Sequence, residues 1–152
     1  MARQIVDIST VQANGKRGEP APSAFAKLNA NDGELYALVG VGGIVDSGSN
    51  ANGSYVKYAD GTMECWGIST NAVAVNTAGG SVFHSSVAVG FNFAVAFSNV
   101  PSISPSAITS NGYYCWAAVD GSASSAAFAC RAVSPANGVS SYLCYIARGR
   151  WK

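Results

Sequence analysis

Apolar positions along the chain follow two different periods, and the change between them divides it. After Pro22-Ser23, the residues Phe25, Leu28, Leu35, Leu38 and Val39 recur at three- and four-residue steps. That spacing predicts an amphipathic helix over residues 21–39, with a proline in its first turn. The polar Asn31-Asp32-Gly33 step weakens its middle. A helix this short is marginal alone, so it needs a partner surface, either the following domain or copies of itself. Beyond residue 54 the period becomes two. Tyr55–Ala59 and Thr62–Trp66 flank Asp60-Gly61, a pair that favours a two-residue type I′ hairpin. Further β-prone runs follow at Ala72–Val75, Ser81–Val89, Phe91–Phe97, Ile103–Thr109, Tyr113–Val119, Ala126–Val133 and Ser141–Ala147, each bounded by Gly, Pro, Asn or Ser. Short strands without intervening helices predict a mainly β protein, an antiparallel β-sandwich over residues 54–152. Alternation puts Tyr114, Trp116 and Ala118 on one face and Tyr113, Cys115 and Ala117 on the other. Both faces are apolar, so one is expected inside the domain and the other against a neighbouring subunit.

The remaining segments read as connections. Residues 1–20 hold Asn14-Gly15, Arg17-Gly18 and Pro20 and are expected as an extended arm with turns. Residues 40–53 carry Gly40, Gly42, Gly43, Gly48 and Gly53 among serine and asparagine, the composition of a linker.

Composition narrows the function classes. Half the chain is hydrophobic (49%), only 11% is charged, and the net charge is +1. No Lys, Arg, Asp or Glu occurs between Trp66 and Val119. Nucleic-acid binding needs clustered basic residues, and a polybasic membrane contact needs the same, so neither is expected. No apolar run reaches the roughly 18 residues of a membrane helix. The N-terminal segment lacks the apolar core of a secretory signal. Cys65, Cys115, Cys130 and Cys144 are widely spaced without a CxxC, which favours four reduced, buried thiols over two disulfides. Neither a metal nor a cofactor is implied.

Two segments carry a resemblance. Val11–Pro20, then Ala24-Phe25-Ala26-Lys27-Leu28-Asn29-Ala30-Asn31 and Glu34-Leu35-Tyr36, resemble a short module of tailed-bacteriophage virion proteins, with Asp32 standing where an aromatic is usual. Ser47–Trp66, with Gly48-Ser49-Asn50-Ala51-Asn52-Gly53 and Ala59-Asp60-Gly61-Thr62, resembles the opening of the C-terminal tip domain of phage tail fibres. Phe97–Ile103 and the terminal Ile146–Trp151 resemble later parts of the same domain. The resemblance implies an H-type-lectin-like sandwich assembled as a homotrimer, with the helix near the trimer axis. Phe25, Leu28, Leu35 and Leu38 would then serve trimerisation or virion attachment, and the arm would meet another virion structural protein. It further implies a virion tail-fibre protein, assembled in the host cytoplasm, that recognises a bacterial surface glycan. The other function considered is a structural head, neck or baseplate decoration without specific recognition.

The chemistry of the side chains favours binding over catalysis. Glycoside hydrolysis needs two flanking carboxyl groups, and nothing in the sequence places Glu64 beside Asp120. His84 has no Gly-x-Ser-x-Gly partner motif. Sugars present apolar C–H faces and a rim of hydroxyls, which an aromatic platform with polar neighbours matches. The candidate ligand-binding residues are therefore Tyr113, Tyr114, Trp116, Tyr142 and Tyr145, with Asn111, Asp120, Arg131 and Arg148 as polar partners. Core or subunit packing is the competing role for Trp66 and Trp116, and inter-subunit bonding for Arg148 and Arg150.

Overall fold

The computed structural model describes residues 5–40, 42–109 and 112–152. The chain forms two compact units, one ending at Gly43 and one beginning at Ile44.

In the first unit, residues 7–19 fold back on themselves instead of running as an extended arm. Val11 bridges Arg17, the Gly15 N–H donates to the Gln12 carbonyl, and the Glu19 N–H donates to the Asp7 carbonyl at 2.9 Å. Gly15 supplies the positive φ of the Asn-Gly turn (77°). The Asp7 carboxylate organises the entry: the Thr10 hydroxyl and the Ser9 and Thr10 N–H groups donate to it and hold its pKa down at about 2. Helix α1 (Ala21–Gly40) follows without a break at Gly33. An ion pair of 2.7 Å between Lys27 and Glu19 fastens its first turns to the loop. Phe25, Leu28, Leu35 and Val39 are exposed on α1. With Asp32 they follow alternating three- and four-residue steps, a seven-residue spacing. The Leu38 side chain lies outside the described residues.

The second unit is mainly antiparallel β. Its strands are β1 (Ile44–Asn50), β2 (Gly53–Tyr58), β3 (Thr62–Ile68), β4 (Val73–Gly79), β5 (Val82–Ser85), β6 (Val89–Asn92), β7 (Ser102–Thr109), β8 (Trp116–Val119), β9 (Ala127–Ser134) and β10 (Val139–Arg150). One leaf runs β1-β2-β3-β10-β7 and the other holds β5, β6, β8 and β9 around β9. Strand β4 pairs with β10 at one end and β5 at the other, and so joins the leaves. A register shift between Val75 and Thr77 bends it at that corner.

The leaves close face to face over aromatic rings. Phe128 on β9 stacks on Phe91 (5.4 Å) and meets Tyr145 of β10 edge-on at 5.1 Å. Both long strands bury alternate residues: Phe128, Cys130, Ala132 and Ser134 on β9, and Val139, Ser141, Leu143, Tyr145 and Ala147 on β10. The buried hydroxyls of Ser85, Ser134 and Ser141 all donate to backbone carbonyls. Among the described residues no buried side-chain polar atom lacks a partner, as a low-dielectric interior requires.

Four local expectations change. Residues 44–50, read as linker, form β1, because their serines and glycines suit an exposed edge strand paired with β2. The β2–β3 turn has three residues, with only Gly61 at positive φ (90°); its N–H donates to the Tyr58 carbonyl, and Asp60 accepts from the Thr62 N–H instead of adopting positive φ itself. Phe91–Phe97 is a strand only to Asn92. Past that point the chain turns so that Phe93 and Phe97 both enter the core, edge to face at 5.0 Å. The four cysteines are unpaired thiols, of which Cys65 and Cys130 are buried and Cys115 and Cys144 half-buried.

Candidate functional site

Alternation on β9 turns Ala129, Arg131 and Val133 outward. The register of β8 then sets Trp116 beside Val133 and Ala118 beside Arg131. Trp116, 46% exposed, and Arg131 thus share the outer face of this leaf, two rungs apart. Asp120 follows β8, fixed by its own N–H donating to the Ala129 carbonyl at 2.8 Å. Arg131 donates through Nε to Asp120 at 2.7 Å, and through Nη1 to the carbonyls of Ser85 (2.7 Å) and Ser86 (2.9 Å). The planar guanidinium is well shaped for such a fork. It ties the end of β5 to the β8–β9 hairpin. Across β9, His84 on β5 pairs with Val133, completing a row of His84, Val133 and Trp116.

Tyr113 and Tyr114 lead into β8. Thr109 Oγ1 donates to the Tyr113 carbonyl (3.0 Å) and Ser134 Oγ to the Tyr114 carbonyl (2.7 Å). Their backbones are anchored while the Tyr114 ring stays 86% exposed. Asn111 lies outside the described residues.

The other candidates sit elsewhere. Tyr142 and Arg148 occupy the outer face of the first leaf; Tyr142 lies opposite Ile108, and Arg148 approaches Glu64 at 3.4 Å. Tyr145 is a core residue, 2% exposed, and burial pushes its phenol up to about 12. Tyr142 and Tyr145 are three positions apart on one strand, so they face opposite ways and share no platform. Glu64 and Asp120 belong to different leaves, each beside an arginine of its own leaf. Sequence reasoning missed an apolar patch on the first leaf's outer face, where Ile146 lies opposite Trp66 and Cys144 opposite Ile68. Its signal was present in Tyr142–Ala147, a strand apolar at both parities.

No protein-family model and no curated protein matches this sequence. Solved structures do. A C-terminal fragment of the R1 pyocin fibre of P. aeruginosa superposes with a TM-score of 0.51 at 14% identity, over 93% of this chain and 35% of that one. An N-truncated R1-type pyocin tail fibre gives a TM-score of 0.48 at 18% identity, over 77% of this chain and 94% of that one. The fold is tail-fibre-like. The chain spans about a third of the length of the R1 fibre fragment that it matches. Among the described residues no helix is long and apolar enough to cross a membrane.

Proposed function

We propose that this chain is a homotrimeric virion fibre protein whose β-sandwich tip binds a bacterial surface receptor, a glycan, to adsorb the particle to its host. The observation that carries the reading is the exposed aromatic run Tyr113, Tyr114 and Trp116, set on a braced sheet beside the Arg131–Asp120 pair. Aromatic faces accept the C–H side of a sugar ring, and the ion pair offers hydrogen bonds at its edge. The tail-fibre-like fold and the sequence resemblance support the same reading, including the lectin-like character of the tip. The exposed seam of Phe25, Leu28 and Leu35 supports association of three helices. The closed loop ahead of α1 is then the attachment point for another virion protein. Three weak sites on one trimer reinforce one another through effective concentration.

The test is adsorption of labelled protein to a panel of bacterial strains, with its mass measured in solution. Selective adsorption that falls at least tenfold in Trp116→Ala is expected, since avidity multiplies a loss at each site. Binding to no strain would leave the decoration-fibre reading in its place, and a stable monomer would reject the trimer.

A further inference from the structure

A cavity lies away from Trp116, between the β1–β2 turn, the β3–β4 loop and the edge strand β6. Its volume is about 340 Å³, at the lower end of ligand pockets, which run roughly 300–1,000 Å³. Ile68 and Val73 give it apolar walls, while Asn52, Asn71, Asn92 and Thr70 supply amides and a hydroxyl. Among the described residues no ionisable side chain lines it.

The backbone around it is fixed. Tyr145 Oη donates to the Asn52 carbonyl at 3.4 Å, and Asn50 Oδ1 accepts from the Asn52 N–H at 2.9 Å. Gly53 has a φ of 130°, and a side chain there would collide with the Trp66 carbonyl, so the turn sits tight on β3. Ser69 Oγ donates to the Asn71 carbonyl at 2.9 Å and accepts from the Leu143 N–H at 3.1 Å, locking the β3–β4 loop to β10. On β6, Gly90 leaves open space where a side chain would stand. The side-chain amides of Asn52 and Asn92, by contrast, bond nothing within the described residues. Asn71 Nδ2 donates to Thr70 Oγ1 at 3.5 Å, a long bond that leaves the Asn71 amide oxygen for a ligand. The walls are therefore preorganised and the Asn52 and Asn92 amides are free, the combination that lowers the ordering cost of binding.

We propose that this cavity binds a neutral sugar residue of the receptor glycan, and that it selects against acidic sugars. The inference rests on the receptor-binding reading above and deepens it. Each asparagine amide presents one acceptor and two donors, and each sugar hydroxyl is both donor and acceptor, so neighbouring hydroxyls bridge adjacent amides. Ile68 takes the apolar face of the ring. A carboxylate or sulfate would lose water here with no cation to replace it.

The test uses the full chain and two probe sets: neutral mono- and disaccharides, and glucuronate- or sialate-containing ones. Calorimetric titration and saturation-transfer NMR read affinity and contact. Neutral sugars are expected to bind and acidic ones to fail. Asn92→Ala and Asn71→Ala, both at exposed positions, are each expected to weaken binding about tenfold. Amide shifts on titration should fall on Asn52, Ile68 and Asn92, a readout that does not depend on the variants. Preference for acidic sugars, affinity within twofold of wild type in both variants, or shifts confined to the Trp116 face would overturn the proposal. Failure to bind any sugar while cells are still adsorbed rejects this cavity alone. Failure to adsorb to any strain rejects the receptor reading beneath it.

Discussion

Replacing Phe128 by alanine tests whether the two leaves close into one core. The Phe128 ring is 4% exposed and lies against three others: Phe91 at 5.4 Å, Phe93 at 5.6 Å and Tyr145 at 5.1 Å. Deleting a buried phenylalanine costs roughly 3–5 kcal/mol, and the value depends on how far the site collapses. Collapse is limited here, because Cys130, Leu143 and Met63 are fully buried in the same cluster and two strands hold the rings apart. Each lost ring pair contributes about 0.5–1.5 kcal/mol, already counted within that range. The expected loss is therefore near the upper half, about 4 kcal/mol, a large share of the roughly 5–15 kcal/mol of a typical domain. Urea unfolding followed by tryptophan fluorescence, at one fixed protein concentration to hold any association constant, measures it. Trp116→Ala, on the exposed outer face, should change stability far less. A Phe128→Ala loss below about 2 kcal/mol would contradict a close-packed interface between β9 and β10.

Alkaline pH should destabilise the sandwich. Burial pushes the Cys130 thiol from 9.0 up to about 11 and the Tyr145 phenol from 10.0 up to about 12. Both are neutral acids, so the unfolded chain loses its protons first, and stability falls as pH rises from about 9 to 11 for the thiol and about 10 to 12 for the phenol. Urea midpoints at pH 8, 9.5 and 11 should decrease in that order, and a flat profile would show that neither group is buried in solution. Asp32→Leu completes the seam of Phe25, Leu28, Leu35 and Val39. If α1 associates, burying leucine adds about 1.5–3 kcal/mol per helix, so the melting temperature should rise and depend on concentration. An unchanged melting temperature counts against helix association.

Several features were legible locally. The period-two runs, the Asp60-Gly61 turn and the proline-led start of α1 depend on side chains within a few residues of one another, and their positions follow directly. Finer detail went astray where two local solutions compete. Asp60-Gly61 suits a two-residue turn, yet a three-residue turn lets the Asp60 carboxylate take the Thr62 N–H and hydroxyl. The glycine-rich stretch before residue 54 suits a linker, yet β2 offers it a strand edge. The candidate site was legible as a list of residue types but not as a place. Tyr113, Tyr114, Trp116, Asp120 and Arg131 gather at one hairpin, whereas Tyr145, equally aromatic, is a core residue.

By itself the sequence determined that this is a mainly β protein with one amphipathic helix, poor in charge and rich in aromatics near its C-terminal half. Those properties come from steric preference, turn chemistry and composition, which act over short spans. Only the tertiary structure decided which parity of each strand faces inward, since β9 and β10 are apolar enough on both sides for either choice. The decision rests on contacts that no local window contains: Tyr145 reaching Asn52, Trp151 Nε1 donating to the Tyr58 carbonyl at 3.0 Å, and Arg131 gripping Ser85 and Ser86. Each brings together groups dozens of residues apart, and burial becomes favourable only when all of them close on the same core.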